Sequence, residues 1–454
     1  MTLPSLPTEP VHLVAICGGA VAGSEAAALC AERGVTAIVL EQNARPYGKI
    51  EDGLPRWHRA LRRKEYDRID ANLRRDRVIY VPSTRLGQDV TLHELTGGPR
   101  VSALILANGA WRDRRLPVEG IDAYVGKGLL YQNPFVYWFN HYPEAGYAGP
   151  RYEAPDGALV VGGGLASIDV VKILALEAYR RALAARGIDA GVEELEHRGI
   201  AHFLQGRAID PADLGGEGPT LLYRRRKKDM PLASAPPGAS PERLAKIEAA
   251  RERIVDKVIR DYFVKLEPCV TPVGALVEGD RLVGLRLQRT RIEGRRVIPI
   301  EGTEHERRAP LVVSSIGSVP EALEGVPLQG ELFRYRDWST GELEGLPGVY
   351  GLGNVLTGKG NIKESRKSAQ EVMGGVLETY LGVAASTESA DEVVDVLHEQ
   401  ARDHVEGAVE QALNGPRVAP EDSRRIFDLV RRRWEATGYD GDYDRWMAKV
   451  GRSD

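Results

Sequence analysis

Cysteine is scarce in this chain, with three in 454 residues at positions 17, 30 and 269. No CxxC pair exists for dithiol redox chemistry, and three scattered thiols are too few for the usual four-cysteine iron–sulfur site. Cys17 and Cys30 fall in an apolar strand and an alanine-rich helix, places suited to a small buried filler. No run reaches the roughly eighteen apolar residues that a membrane helix needs, so no membrane insertion is expected. The first ten residues, MTLPSLPTEP, lack the charged start and apolar core of a secretory signal, so a cytoplasmic protein is the expectation. A net charge of -4 leaves no basic excess to hold a polyanion. Nucleic acid is therefore not an expected partner, and any anion must be held by local clusters. What remains reads as globular, with a length suited to about three domain-sized units and enough apolar residues to fill their cores.

The segment Val11 to Gln42 runs as apolar strand, glycine turn, alanine-rich helix, Gly34 stop and a β-branched strand ending in Glu41, which is one βαβ unit. Its turn, Gly18-Gly19-Ala20-Val21-Ala22-Gly23, fits GxGxxG except that Ala20 takes the second glycine position. Gly18 permits the tight turn, Gly23 lets helix and strand pack closely, and the helix N-terminus offers free N–H groups to a pyrophosphate. Ala20 adds a methyl where the phosphates approach. Glu41, at the end of the second strand, is placed to accept hydrogen bonds from an adenosine ribose.

A second unit begins GALVVGGGLASIDVVKIL at Gly157, with Gly162, Gly164 and Ser167 in the three small positions. Its next plausible strand, PTLLY at 219 to 223, comes after a turn-rich insertion near 188–218. If that insertion is only a surface excursion, the cations Arg224, Arg225, Arg226, Lys227 and Lys228 stand where the first unit has Glu41. A carboxylate there suits a bare ribose hydroxyl, whereas arginine forks suit a 2′-phosphate. The second ligand is therefore expected to be NADPH rather than NADH, with Arg224 and Arg225 favoured over the lysines as contacts. Acid-ended first and basic-ended second, the pair suggests FAD followed by NADPH.

Three further stretches bear on this pairing. Ala103 to Gly120 holds a strand ending in Asn108-Gly109, and Leu311 to Glu321 repeats that design with Ser315 to Gly317. Gly348 to Val372 offers a strand, Gly353-Asn354, a loop with Gly358, Gly360 and Asn361, and a helix opening near Ile362. A helix N-terminus beside flexible backbone is able to stabilise the electron-rich side of a reduced flavin ring.

With these residues in place, the chain resembles the adrenodoxin-reductase-like ferredoxin–NADP reductases, relatives of the glutamate synthase small subunit. PYGKIEDGLPRWH, with Pro46, Gly48, Gly53 and His58, is similar to the family's segment after the ribose-binding acid. FVYWFNHYPE at 135 to 144 is similar to its aromatic linker, and GGGLASIDVVKIL, including Asp169, to its NADP loop. YRRR and DMP look more like the glutamate synthase relatives. The likeness spans roughly residues 11 to 382. Ala20 departs from the pattern, and Asn354 stands where the adrenodoxin reductases have Trp. The missing cysteines separate the chain from glutamate synthase small subunits, whose iron–sulfur segment it lacks.

The resemblance implies an α/β fold of two dinucleotide-binding, Rossmann-like domains with the NADP domain inserted in the FAD domain. The expected bounds are 11–125 and 321–385 for the FAD parts, 126–320 for the NADP part and 386–454 for a helical C-terminal extension. It also implies hydride transfer from NADPH to flavin and electron delivery to a ferredoxin-like, acidic iron–sulfur protein, and it carries His58 over as the active-site residue. Read by itself, the stretch 57–73 is also an exposed charged helix. Few catalytic side chains are expected, because flavin and nicotinamide carry the electrons while the protein stacks them and excludes water. Basic candidates for a docking surface are 57–68, 334–337 and the helix 240–262. Two other readings stand beside this one. One is an NADPH-dependent flavoenzyme serving a quinone, a small acceptor or a bound partner subunit. The other, motivated by Ala20 and Asn354, is a non-catalytic dinucleotide-binding sensor or assembly protein.

Overall fold

The computed structural model describes residues 7–98, 100–232, 240–294, 296–338, 340–356, 402 and 405–452. The first part runs β1 (Leu13–Cys17), α1 (Val21–Glu32), β2 (Thr36–Leu40), α2 (Lys49–Asp52), α3 (Arg59–Leu73), β3 (Val78–Val81), α4 (Leu92–Thr96), β4 (Ala103–Leu106) and β5 (Arg112–Asp113). β1 is apolar and buried along its whole length, as a parallel strand covered on both faces requires. Its alternate residues serve two cores, Val14 and Ile16 on one face and Leu13, Ala15 and Cys17 on the other. α4 starts at a reciprocal capping box, in which the Thr91 hydroxyl accepts from the Glu94 N–H and the Glu94 carboxylate accepts from the Thr91 N–H.

The middle part contains β6 (Leu129–Tyr131), α5 (Gln132–His141), β7 (Leu159–Gly162), α6 (Leu165–Ala184), α7 (Val192–Arg198), α8 (Ile200–Gln205), β8 (Thr220–Tyr223), α9 (Pro241–Tyr262) and β9 (Lys265–Pro268). It continues through an antiparallel group, β10 (Val270–Glu278), β11 (Arg281–Glu293), β12 (Arg296–Pro299) and β13 (His305–Arg308), to β14 (Val312–Ser315) and β15 (Ser318–Val319). The chain then returns through β16 (Leu328–Gln329), β17 (Leu332–Phe333), β18 (Tyr335–Asp337), β19 (Glu342–Leu343) and β20 (Val349–Gly351). Helical residues 405–414, α10 (Pro420–Thr437) and α11 (Tyr443–Val450) follow.

Two sheets organise these elements. The first has the order β18-β19-β20-β4-β1-β2-β3 and is drawn from both ends of the chain, while the second has the order β6-β14-β7-β8-β9 and lies wholly within the middle. The result is an α/β protein of two dinucleotide-binding, Rossmann-like units, the second inserted in the first. β5 and β15 pair antiparallel, Ser318 with Asp113 and Val319 with Arg112, where the chain leaves the first sheet and comes back to it.

β8 lies parallel to β7 with Leu159 opposite Thr220, so TLLY is the second strand of the second βαβ unit. The insertion before it is not a surface excursion. Val192, Leu195, Ile200, Phe203 and Leu204 of α7 and α8 are buried in the same core as α6. FVYWFNH forms most of α5 instead of a linker, and buries Phe135, Trp138 and Phe139. α3 also differs from an exposed charged helix, since Leu61, Arg62, Glu65, Tyr66, Ile69, Asp70, Asn72 and Leu73 are buried.

The C-terminal helices pack on the first sheet. Ile426, Phe427 and Val430 of α10 join one core, and Tyr443, Trp446 and Met447 of α11 the other. Among the described residues no helix is long and apolar enough to cross a membrane.

Candidate functional site

The first glycine turn is shaped by two close approaches. Gly18 has φ +103°, and a Cβ there would lie 2.4 Å from the Ala107 carbonyl oxygen at the end of β4. A Cβ on Gly23 would fall 1.8 Å from the Gly18 carbonyl oxygen, so only glycine lets α1 sit this close to the turn. Ala20 is the N-cap of α1 with an ordinary extended backbone (φ −72°). Its methyl lies against Gly48, where an added Cβ would come within 3.0 Å. The methyl at the second motif position thus faces Gly48, whose lack of a side chain leaves it room. Gly164, its counterpart in the second loop, has open space around a Cβ.

Glu41 ends β2 and is buried. Its carboxylate accepts from the N–H of Gly19 at 2.7 Å and of Asn43 at 2.8 Å. Burial pushes the carboxyl up to about 7 against the pull of those two N–H groups, and Asp52 and Glu51 add to the rise. Asn108 Oδ1, just past β4, is buried with no hydrogen-bond partner among the described residues. Gly109 after it is left-handed at φ +72°. Gly353 (φ +65°) lies against Ala22 of α1, where a Cβ would meet the alanine methyl at 2.9 Å. Asn354 follows it in an exposed turn. A cradle closed to Cβ atoms, an acid at the second strand end and a buried amide oxygen without a partner together fit a dinucleotide. Gly358, Gly360, Asn361 and Ile362 lie outside the described residues.

The second loop repeats the close approach. A Cβ on Gly162 would meet the Ser315 carbonyl oxygen at 2.4 Å, and the buried Ser167 hydroxyl donates to the Gly164 carbonyl at 2.6 Å. Gly163 faces the ring of Tyr223, where a Cβ would come within 2.2 Å. The last residue of β8 thus lies on the loop, and the cationic run starts beside it. The charges of Arg225 and Arg224 act on the Tyr223 phenol. Arg226 forks onto Asp229 at 2.8 and 3.0 Å, Lys228 reaches Glu248 at 3.0 Å, and Lys227 pairs with Asp256. Three of the five cations, Arg226, Lys227 and Lys228, are therefore engaged by local carboxylates, while Arg224 and Arg225 directly follow Tyr223 at the loop.

His58 is the N-cap of α3 and half-buried. Trp57 donates its indole N–H to His58 Nε2 at 3.0 Å. Burial holds the imidazole well below its usual range, and the cations of Lys172 and Arg62 push the same way. Lys172, buried on α6, bonds Glu196 of α7 at 2.6 Å. It lies 5.0 Å from the Trp57 ring and 4.9 Å from that of Tyr262, so the insertion supplies the counter-ion for a lysine facing the His58 region. Sequence reasoning missed this cluster. Its one signal was a lysine within the apolar run VVKIL.

Lys49 was missed too, although it directly follows Gly48. Its ammonium donates to Asn133 Oδ1 at 3.1 Å and to the Ser318 hydroxyl at 3.3 Å, and lies 5.5 Å from the Trp111 ring. Burial lowers its pKa, with Asp113 and Asp52 opposing, while burial raises Asp113 to about 6. These residues bridge the two units beside the β5–β15 ribbon.

Cys17 and Cys30 are buried, and burial pushes both thiols up to about 12, so neither is a nucleophile. No group of three or more metal-ligating side chains occurs among the described residues. The candidate docking cations are largely matched by acids, Arg334 with Glu344 and Arg260 with Asp261 among them. Arg56, next to the first candidate stretch, is buried and bonds Glu193 at 2.9 Å.

No protein-family model matches the chain. The mitochondrial NADPH:adrenodoxin oxidoreductase of Arabidopsis thaliana is 27% identical over 174 residues, 37% of this chain and 34% of that protein. The NADPH-Fe(3+) oxidoreductase subunit beta of Geobacter sulfurreducens is 27% identical over 319 residues, 68% of this chain and 37% of its own length. The chain thus spans about a third of the length of these curated relatives. FprA of Mycobacterium tuberculosis, solved in complex with NADPH, superposes with a TM-score of 0.60 at 18% identity, covering 94% of this chain and 91% of that one, a likeness of fold.

Proposed function

Because the chain is related to the adrenodoxin-reductase-like FAD/NAD(P) oxidoreductases, we propose that it is an FAD-containing, NADPH-dependent oxidoreductase that passes electrons to a ferredoxin-like iron–sulfur protein. The observation that carries the reading is the unlike ending of the two glycine-loop units, a buried Glu41 beside Gly19 in the first and Arg224 and Arg225 beside Tyr223 and Gly163 in the second. Bound flavin supplies the conversion of a two-electron hydride into single electrons, chemistry that no side chain here offers.

The chain's own residues do the rest. Gly18, Ala20 and Gly23 admit a pyrophosphate to the start of α1, Glu41 receives the ribose hydroxyls, and Asn108 and Gly353 border the same cradle. Gly48, Gly109 and Asn354 shape its approaches, with Gly360, Asn361 and Ile362 assigned to the flavin side from the resemblance. Gly162, Gly164 and Ser167 form the second pyrophosphate turn, and Arg224 and Arg225 grip the 2′-phosphate. Arg226, forked on Asp229, contributes charge more than contact. His58 stays neutral and holds its proton on Nδ1, a donor at the junction of the two units. A small electron-carrier protein as partner is supported by the likeness to the Arabidopsis NADPH:adrenodoxin oxidoreductase.

Purified protein tests this in two steps. A yellow preparation bleached anaerobically by NADPH, and only slowly by NADH, is expected. A colourless protein that gains no flavin on incubation refutes the reading and favours a non-catalytic binding role. Ferredoxin added with cytochrome c is then expected to raise electron flow above that with flavin and cytochrome c alone. Failure with every ferredoxin tried moves the acceptor to a quinone, a small molecule or a bound subunit.

A further inference from the structure

The segment Asn43 to Gly48 closes over the first glycine loop. A Cβ on Gly19 would meet Pro46 at 3.1 Å, and Gly48 lies against Ala20. On its outer side the segment is held largely by the C-terminus. Trp446 of α11 donates its indole N–H to the Ala44 carbonyl at 2.8 Å. Tyr47 is fully buried, and its hydroxyl donates to Asp70 at 3.1 Å. Arg452 donates to that hydroxyl at 3.2 Å, pairs with Asp70, and reaches Asp67 at 2.8 Å. Tyr443 donates to Asp70 at 2.6 Å. From α3, Arg74 stands farther off at 3.7 Å. A buried carboxylate needs its full set of donors, and here the C-terminal residues provide two of them.

We propose that α11 and Arg452 form a clamp that positions the 43–48 cover of the dinucleotide loop and thereby slows release of the cofactor. The geometry stands by itself, while the consequence for the cofactor rests on reading this loop as the flavin site. Trp446, Tyr443 and Arg452 are positioning residues, acting through Ala44, Tyr47 and Asp70. Without them the segment keeps Tyr47 on Asp70 and stacked on Tyr66, the Asn43 carbonyl on the Ser83 N–H at 3.1 Å, the Ala44 carbonyl near the Tyr80 hydroxyl at 3.5 Å and the Arg45–Glu51 pair at 2.8 Å. Loosening there opens the side of the loop on which Glu41 binds Gly19 and Asn43.

The test compares the full chain with Trp446→Phe/Arg452→Gln, which keeps a ring in the core and removes the indole donor and the guanidinium. Hydrogen exchange in a peptide covering residues 42–50 is expected to quicken about tenfold, with peptides over β1 and β2 unchanged. Release of FAD, followed by recovery of free-flavin fluorescence, is expected to quicken alongside it, with Arg452→Lys close to the parent in both. Parent-like exchange in 42–50 overturns the proposal, as does faster FAD release without faster exchange. If the double variant loses its circular dichroism, the single Arg452→Gln at a partly exposed side chain decides by the same two readouts. A parent protein that takes up no FAD defeats the flavin assignment, and the exchange comparison then judges the clamp alone.

Discussion

Trp57 and His58 are bonded through their own side chains, the indole N–H of one resting on Nε2 of the other at 3.0 Å. That makes Nε2 an acceptor and leaves the proton on Nδ1. The imidazole is therefore a neutral donor, kept so by burial and by the cations of Lys172 and Arg62. Flavin reduction by NADPH is expected to show no inflection from His58 between about pH 6 and 8. In Lys172→Met/Glu196→Gln, which removes one charge of each sign, the His58 pKa is expected to move up by the part that Lys172 contributes, while burial and Arg62 still hold it down. An inflection that first appears at the acid edge of that window is then the expected change. Stopped-flow reduction against pH distinguishes the two.

Glu41 carries the second pH effect. Its carboxyl sits at about 7 before a ligand binds, and ribose hydroxyls favour the ionised form that accepts from both. Binding thus lowers the pKa and releases a proton, so FAD retention is expected to be full above about 7 and to weaken as pH falls through that value. The slope is at most about tenfold per pH unit. Glu41→Gln is expected to bind more weakly, with this slope abolished. Dissociation constants measured by fluorescence at several pH values check both statements.

The cationic run divides by distance along the chain from Tyr223, which lies on the second loop. Arg224→Ala/Arg225→Ala is expected to lower the preference for NADPH over NADH by about thirtyfold, the worth of roughly 2 kcal/mol of charge-assisted bonding. Arg226→Ala, whose guanidinium is forked on Asp229, is expected to change that preference by no more than about twofold. The ratio of kcat/KM for the two coenzymes is the readout. A large effect at Arg226 alone would reverse the assignment.

His141 joins α5 to α2 and to the turn after α5. It is buried, with Nε2 2.9 Å from Asp52 and Nδ1 2.8 Å from Glu144. Burial opposes the charge, but the two carboxylates prevail and the pKa lies above 6.5. A raised folded-state pKa contributes stability that is present in full below about 6.5 and lost as pH rises through the folded value. Urea midpoints are expected to decline over that window in the parent, and to decline less in His141→Asn.

Much of the site was legible before the structure because glycine turns and strand-end charges are local signals. Gly18, Gly23, Glu41 and Gly162 play parts that follow from covalent geometry and spacing, and the sheet positions of β1, β2, β7 and β8 agree with them. The Lys172–Glu196 pair was not legible, since its partners lie on different helices and meet only when α7 packs on α6. The neighbour of the Ala20 methyl, Gly48, was not legible for the same reason, since it lies far along the chain. α3 read as an exposed charged helix because its buried Arg62 and Asp70 have partners that only the fold supplies.

The sequence by itself determined the two βαβ units, the acid that ends one and the arginines that begin after the other, since hydrophobic period, glycine and charge act over a few residues. Which cations of the run local carboxylates hold, which proton His58 keeps, and that α11 and Arg452 reach Ala44, Tyr47 and Asp70 were decided by tertiary structure alone. Each depends on buried polar groups meeting across long stretches of chain, and the cost of leaving such groups unpaired becomes visible only once the packing that buries them is known.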